Sequence, residues 1–353
     1  MGCLVSPARQ VAFDVLRQVH TGGYAADLLV KGSAGLDSRD AGLASEIVFG
    51  CLRYQAQLDY LIGRLAPGRL DPEVRIALRM GVYQLRYLDR VPAHAALSES
   101  VELVKRARKR SAAGLVNAVL RKIDRQPAVW PDRATELSMP GWLLDKWDRQ
   151  FGREMASQIA AAFLKPAETY LAGTGRIQDI GAQSIVPMLN LHPGLTFLDL
   201  CAAPGNKTAQ ALAAGAETVA CDIHWHRLKQ LGDLRCRRVV LDGTRPLPFR
   251  SLFDRILVDA PCSGTGTLGR NPEIKWRLKP SDLAELHDKQ VALLRNGVAW
   301  LRPGGRLVYS TCSLEEEENQ QVIDAVPGPW QVTWRLPGRE AGDGFFIAVL
   351  TSV

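Results

Sequence analysis

The chain has 353 residues, 46% of them hydrophobic, and 44 Lys and Arg against 37 Asp and Glu give it a net charge of +7. That length and apolar content predict two packed domains rather than a disordered chain. The longest apolar runs, such as AGLASEIVFG, fall short of the roughly 20 residues needed to span a bilayer, and no secretory leader is expected, so the chain reads as cytoplasmic with no membrane partner. Its seven cysteines, at 3, 51, 201, 221, 236, 262 and 312, form no C-x-x-C pair, which excludes a disulfide framework and a zinc ribbon.

The chain opens on MGCLVS, a short match to the acylation pattern with Cys3 as a second lipid site, and one that a cytoplasmic reading sets aside. From Pro7 to about Ile123, apolar residues recur at three and four positions in RQVAFDVLRQV, AGLASEIVFGCLRYQAQLDYLIGRL, PEVRIALRMGVYQLRYL, ALSESVELVKRARKR and AGLVNAVLRKI. This predicts an all-α domain over residues 1–127. The proline-bearing segment QPAVWPDRATELSMPGW reads as a linker, with amphipathic helices around LLDKWDRQF and MASQIAAAFL after it, so that 128–175 joins the domains. Over 176–353 the short runs TFLDL, TVACD, RVVLD, RILVD and RLVYS alternate with helices, the signature of a doubly wound parallel sheet. WQVTWRL and GFFIAVL are expected as an antiparallel pair at one edge.

Charge is unevenly placed. Residues 1–125 carry 19 Lys and Arg against 12 Asp and Glu, leaving 25 against 25 for the remainder, so the whole surplus is N-terminal. Its densest point is Lys105, Arg106, Arg108, Lys109 and Arg110. Cations suit a helix C-terminus, so a solvated helix end accounts for some of them. Five in six residues exceed what capping needs, and a polyanion such as RNA is the sharper reading. Residues 1–127 alone are then expected to bind it.

Two cysteines stand just past strand ends, Cys262 in RILVDAPCSGTG and Cys312 in GGRLVYSTCSLEEEEN. Ligands of open α/β sheets collect outside strand carboxyl ends, so both thiols should face one crevice. Ser313 and Glu316 read as a capping box, setting Cys312 directly before a helix N-terminus, where an anion is favoured. Glu315 to Glu318 oppose this if they lie near the sulfur. LDLCAAPGNKTAQALA is strand, small-residue loop and helix, matching neither the P-loop nor G-x-G-x-x-G. Asp222, Asp242 and Asp259 fall at successive strand ends. Cys221, His224, His226 and Cys236 come nearest to a metal box, but they follow a strand into a helix and read as ordinary loop residues, so no metal is expected. Cys51, Cys221 and Cys236 read as small buried hydrophobes. Lys207 and Lys275 are candidates for phosphate or cofactor contact.

LDLCAAPGNKT, VDAPCSGTGTLGRNPEIKW, GGRLVYSTCSLEEEEN and DGFFIAVL resemble the motifs of the Nop/Sun family of RNA cytosine carbon-5 methyltransferases, and the N-terminal helices resemble the NusB domain. Together they resemble the Sun, or RsmB, type that modifies 16S ribosomal RNA. The resemblance implies an all-α NusB-like RNA-binding domain and a Rossmann-like methyltransferase domain, acting as a monomer with S-adenosyl-L-methionine on ribosomal RNA. It implies that Cys201, Ala202, Ala203, Pro204, Gly205, Asn206 and Lys207 contact the methionine end of the cofactor, that Asp222 holds the ribose and Asp242 the adenine, and that Asp259 lies between cofactor and base. Cys312 is then the nucleophile and Cys262 assists release. Carbon-5 of cytosine is a poor nucleophile until a thiolate adds at carbon-6 and makes it enamine-like.

Two departures stand out. The family motif usually ends in G-G-K, and Asn206 takes the second glycine's place; if that position needs φ > 0, glycine there should bind cofactor as well or better. A small α/β subdomain usual in the family is reduced to about LKPAETYLAGT. An assembly factor that keeps the fold with weak catalysis is the alternative function. DNA methylation, which would favour Cys262 as nucleophile, fits the second thiol and the helical domain less well.

Overall fold

The computed structural model describes residues 5–352, so Gly2 and Cys3 of the acylation pattern lie outside the described residues. Contacts divide the chain into two units, one running through Lys165 and taking in Gly269–Trp276, the other formed by Pro166–Leu268 and the chain from Arg277 on.

The first unit begins with α1 (Pro7–His20), α2 (Ala25–Gly32), α3 (Ser38–Arg53), α4 (Gln55–Leu65), α5 (Pro72–Tyr87), α6 (Ala93–Arg106) and α7 (Ala113–Leu120). Pro7 and Pro72 occupy first-turn positions, where a missing N–H is harmless. Asp37 caps α3 by accepting from the Asp40 amide at 2.8 Å. The apolar stripes bury Phe13 and Leu16, Ile47 and Cys51, Ile76 and Met80, and Leu103 and Val104 in one core. A Cβ at Gly50 would overlap the Tyr83 ring, so only glycine lets α3 and α5 touch there.

Three features differ from the sequence reading. The apolar run of 41–65 breaks at Tyr54, whose ring stacks on Tyr87 at 4.5 Å while its backbone leaves helical geometry. Helix α2 has only Ala25 and Leu29 buried, too few to show a period. The compact helical unit does not stop at 127 but runs on through Lys165. Helices Gly141–Phe151 and Arg153–Ala162 bury Leu143, Leu144, Trp147 and Ile159. Polar contacts tie this stretch to the α4 region: Ala56 donates to Ser138 Oγ at 3.0 Å, Gln57 to the Glu136 carbonyl at 2.5 Å and Tyr54 to the Leu164 carbonyl at 3.0 Å. The prolines bend a packed segment rather than mark a linker.

Segment Gly269–Trp276 joins the same unit through directed hydrogen bonds. Glu273 accepts from the Ala25 amide at 2.9 Å, and Trp276 Nε1 donates to the Leu52 carbonyl at 2.8 Å. Lys275 donates to the Arg53 carbonyl at 2.9 Å and is 1% exposed. Burial, aided by Arg53, pushes its ammonium down to about 7. Lys275 is thus a structural residue of the helical unit, not the phosphate contact its sequence position suggested.

At the end of α6, Arg108 sits at φ 62°. Its amide bonds to the Lys105 carbonyl at 3.1 Å and that of Lys109 to Val104 at 2.8 Å, a Schellman motif that normally places glycine at this position. Arg108→Gly should therefore raise the helical unit's stability by about 1 kcal/mol, read as a higher denaturant midpoint at unchanged slope.

The second unit is built on β1 (Thr196–Asp199), β2 (Glu217–Asp222), β3 (Arg237–Val240), β4 (Phe253–Asp259), β5 (Leu301–Thr311), β6 (Gln331–Arg335) and β7 (Phe345–Thr351). The sheet order is β3-β2-β1-β4-β5-β7-β6, parallel through β5 and closed by the antiparallel β7 and β6 expected at the edge. Leu198, Ile256, Val258 and Leu307 face one core; Phe197, Leu257 and Val308, one residue out of phase, face the other. Strand order reverses between β1 and β4, so the crevice lies at their carboxyl ends. Among the described residues no helix is long and apolar enough to cross a membrane.

Candidate active site

Strand β1 ends at Asp199 and the chain turns through Cys201–Gly205 into the helix Asn206–Ala213. Ala202 donates its amide to the Cys221 carbonyl at 2.7 Å, fixing the loop against β2. Gly205 sits at φ 101°, and a Cβ there would come within 2.7 Å of Leu231 Cγ, so both conformation and space demand glycine.

Asn206 is not the left-handed residue its place in the motif suggested; it opens the helix, and its side chain is engaged. Its Oδ1 accepts from Arg176 Nε at 2.8 Å, and its Nδ2 donates to the Ile177 carbonyl at 3.1 Å. The short segment before β1 closes at a Leu171–Ile177 bridge and delivers Arg176, which also donates to the Pro204 carbonyl at 3.1 Å. Because glycine would strip both side-chain bonds, Asn206→Gly should loosen this loop and weaken binding of the ligand it holds, by roughly 3- to 30-fold in calorimetry.

Three strand-end acids converge on Cys201, whose thiol is pushed well above its usual range, first by burial and then by Asp199, Asp259 and Asp222. Burial holds the Asp199 carboxyl up to about 7 although Thr208 Oγ1 donates to its Oδ2 at 2.7 Å. Among the described residues its buried Oδ1 has no side-chain partner. Asp222 accepts from the His224 amide at 3.0 Å, with Arg227 at 3.6 Å. Asp259 accepts from Lys207 at 2.6 Å and from Ser310 Oγ at 2.7 Å. Burial works against the Lys207 ammonium, but Asp259, Cys312 and Asp199 outweigh it and raise it. Asp242 is set apart: it binds its own turn at Thr244 Oγ1, 2.6 Å away, and that bond holds its carboxyl low. Asp259 already faces Lys207 and Asp222 faces Arg227, while Asp199 keeps a buried acceptor with no side-chain partner, so a donor or cationic group of a ligand fits beside it. Asp199 escaped the sequence reading; it ends β1 level with Ala220 and Leu257, two residues before Asp222 and Asp259.

The thiols meet. Register pairing of Asp259 with Ser310 sets β4 and β5 side by side, and the loops beyond them bring Cys262 Sγ to 3.4 Å from Cys312 Sγ. The Cys262 thiol is pushed well up, first by its hydrogen bond to Cys312, then by burial and by the charges of Cys312 and Glu318. The capping box read at Ser313 and Glu316 does not form. Ser313 Oγ accepts from the Glu315 amide at 3.0 Å, and the chain makes a 3₁₀ turn only from Glu316, so no helix begins at Cys312. Of the four glutamates, Glu318 reaches both thiol loops, accepting from the Ser263 amide and from Ser313 Oγ.

Cys221 is buried in β2, and the His224 and His226 rings stack at 5.2 Å. Among the described residues no group of three or more His, Cys, Asp or Glu is disposed to hold a metal. In the helical unit, Lys105 pairs with Glu102 at 3.3 Å and Lys109 with Asp71 at 2.9 Å, while Arg106 donates to Gln10 at 3.2 Å. Arg108 and Arg110 are exposed and carry no ion pair among the described residues.

A parallel sheet reversing between β1 and β4, with a small-residue loop and strand-end acids at its crevice, defines a Rossmann-like methyltransferase unit, here in one chain with a helical unit. The model for "16S rRNA methyltransferase RsmB/F" matches residues 186–329, and that for the NusB family matches residues 6–125. Ribosomal RNA small subunit methyltransferase B of Thermus thermophilus is 34% identical over 98% of both chains, and that of Klebsiella pneumoniae is 31% identical over 97% of both. The chain belongs to this ribosomal RNA small subunit methyltransferase B family. The crystal structure of PH0851 shares its fold, with a TM-score of 0.80 at 19% identity over all of both chains. A methyltransferase homologue from Pyrococcus horikoshii does so with a TM-score of 0.54 at 24% identity, covering 64% of this chain and all of its own.

Proposed function

We propose that the chain methylates carbon-5 of one cytosine in 16S ribosomal RNA through a covalent adduct with Cys312. The observation that carries this is the pair of thiols 3.4 Å apart at the mouth of an acidic crevice. A single nucleophile needs no second thiol, whereas addition followed by elimination needs a proton acceptor beside it.

S-adenosylmethionine, when bound, supplies the methyl group and a cationic centre. Residues Cys201–Lys207 hold its methionine end, with Asp199 as a further acceptor; Asp222 serves the ribose and Asp242 the adenine. Cys312 sulfur adds to carbon-6 of the base, and the displaced π electrons make carbon-5 nucleophilic. Asp259, fixed by Lys207 and Ser310, shares a proton with N3 of the base and so steadies the adduct. After methylation, the carbon-5 proton passes to Cys262, the carbon-6 to sulfur bond breaks, and the returning electron pair restores the carbon-5 to carbon-6 double bond. The order of events suits the electrostatics. Cys262 is held protonated chiefly by Cys312; once Cys312 is a neutral thioether that influence is gone, so Cys262 releases its own proton to solvent more readily and stands as the thiolate that takes the carbon-5 proton. Cations at the end of α6 deliver the RNA.

Transfer of a labelled methyl group to 16S ribosomal RNA, followed by nucleoside analysis and bisulfite mapping with and without the gene, tests this. Recovery of 5-methylcytidine at one site is expected. Bound cofactor and bound RNA without it would leave an assembly factor.

A further inference from the structure

We propose that Glu318 is a positioning residue that pins the Cys262 loop to the Cys312 loop, and that this pin sets the geometry in which one thiol attacks and the other accepts a proton. The inference rests on the two-thiol reading above. Ser263 directly follows Cys262 and Ser313 directly follows Cys312, and both bind the same carboxylate. Glu318 Oε1 accepts from the Ser263 amide at 2.8 Å and from Gln290 Nε2 at 3.0 Å. Its Oε2 accepts from Ser263 Oγ and, at 2.5 Å, from Ser313 Oγ. The two hydroxyl oxygens lie 3.1 Å apart. Gln290 also donates to the Pro261 carbonyl at 2.9 Å, one residue before Cys262, and Tyr309 Oη donates to the Glu318 carbonyl at 2.6 Å.

Glu318 is 0% exposed, and no Lys or Arg pairs with it among the described residues. An unpaired buried carboxylate is costly unless hydrogen bonds hold it, and here four donors from three elements do so. A side chain that merely filled space would not need charge. A carboxylate gives what no neutral side chain does, two acceptor oxygens and no donor, so the hydroxyls of both loops point inward to one partner. The thiols sit one residue from the two points so fixed, which is why their separation is defined in loops that lie outside any strand or helix.

The experiment reads geometry apart from catalysis. Diamide oxidises two adjacent thiols to a disulfide and is itself reduced to the hydrazine, so its closure rate in the full-length protein reports the Cys262–Cys312 separation without RNA or cofactor. Glu318→Ala should slow closure at least about tenfold and lower kcat roughly a hundredfold, while KM for RNA and cofactor affinity stay within about threefold. Glu318→Gln keeps one acceptor oxygen, and with it two of the four contacts, and should give closure and kcat between those of Glu318→Ala and the parent. If Glu318→Ala unfolds, Ser263→Ala and Ser313→Ala carry the same test, each slowing closure with binding retained. Closure and kcat at parental rates in the folded Glu318→Ala protein would overturn the proposal, as would equal loss of kcat and of cofactor binding, the pattern of general damage. A parent that closes the disulfide with the expected Glu318 dependence but forms no 5-methylcytidine would uphold the pin and reject the cytosine chemistry.

Discussion

Cys312→Ala should abolish methyl transfer while leaving S-adenosylmethionine binding unchanged, and Cys262→Ala should accumulate a denaturant-resistant protein–RNA adduct that requires Cys312. Cys312 lies beyond β5, and the loop Cys201–Lys207 follows β1, so removing one sulfur takes nothing from the cofactor loop. Loss of the nucleophile removes the only route by which carbon-5 gains electron density, and turnover should fall by at least about 10³-fold, or more than 4 kcal/mol of transition-state stabilisation. In the proposed mechanism Cys262 acts one step later. Without it the adduct still forms and accepts its methyl group, but the carbon-5 proton has no acceptor within reach, so the thioether persists. Denaturing electrophoresis with labelled RNA separates the two variants, since only Cys262→Ala gives a shifted band, and Cys262→Ala with Cys312→Ala gives none. Turnover by Cys312→Ala would reverse the assignment, and a band in the double variant would place the adduct on another residue.

Much of this site could be read before any coordinates. Each of the seven strands is present where alternation of short apolar runs put it, because a sheet covered on both faces writes its strands as near-continuous Val, Ile and Leu. Strand ends follow from that, and with them Asp222, Asp259, Cys262 and Cys312. What stayed hidden depends on contacts between segments distant in sequence. Nothing in VFGCLRY or RNPEIKW announces that Lys275 will be buried against the Arg53 carbonyl, since a lysine beside a tryptophan looks like surface. The Ser313–Glu316 spacing satisfied a capping pattern, yet Ser313 turned to Glu318 because a buried carboxylate offers a stronger acceptor than a helix end offers a role. Asn206 looked like a strained glycine substitute only because Arg176, 30 residues away, could not be seen as its partner.

The charge surplus of the helical unit leads to the second large effect. Neutralising Lys105, Arg106, Arg108, Lys109 and Arg110 together should weaken ribosomal RNA binding and flatten its salt dependence. Were all five phosphate contacts, each would contribute about 0.7 to 0.9 to the log–log slope. They are not equivalent. Lys105 and Lys109 already face Glu102 and Asp71, so the three arginines Arg106, Arg108 and Arg110 should carry most of the loss, about 2 to 2.7 in slope. Arg108 makes the test specific, because Arg108→Gly removes one of those charges while relieving the left-handed backbone at φ 62°. It should therefore bind RNA less tightly and melt later, a combination that general destabilisation cannot give. The full chain is the material to use: a fragment ending at 127 would lack the stretch that ties Tyr54, Ala56 and Gln57 to residues 136–164 and the segment Gly269–Trp276 that binds Ala25, Leu52 and Arg53. Such a fragment should show a lower midpoint than the intact unit, and weak binding by it would say nothing about the patch. An unchanged salt slope in the folded five-fold variant would move RNA delivery away from the end of α6, to a surface that the charge count alone did not reveal.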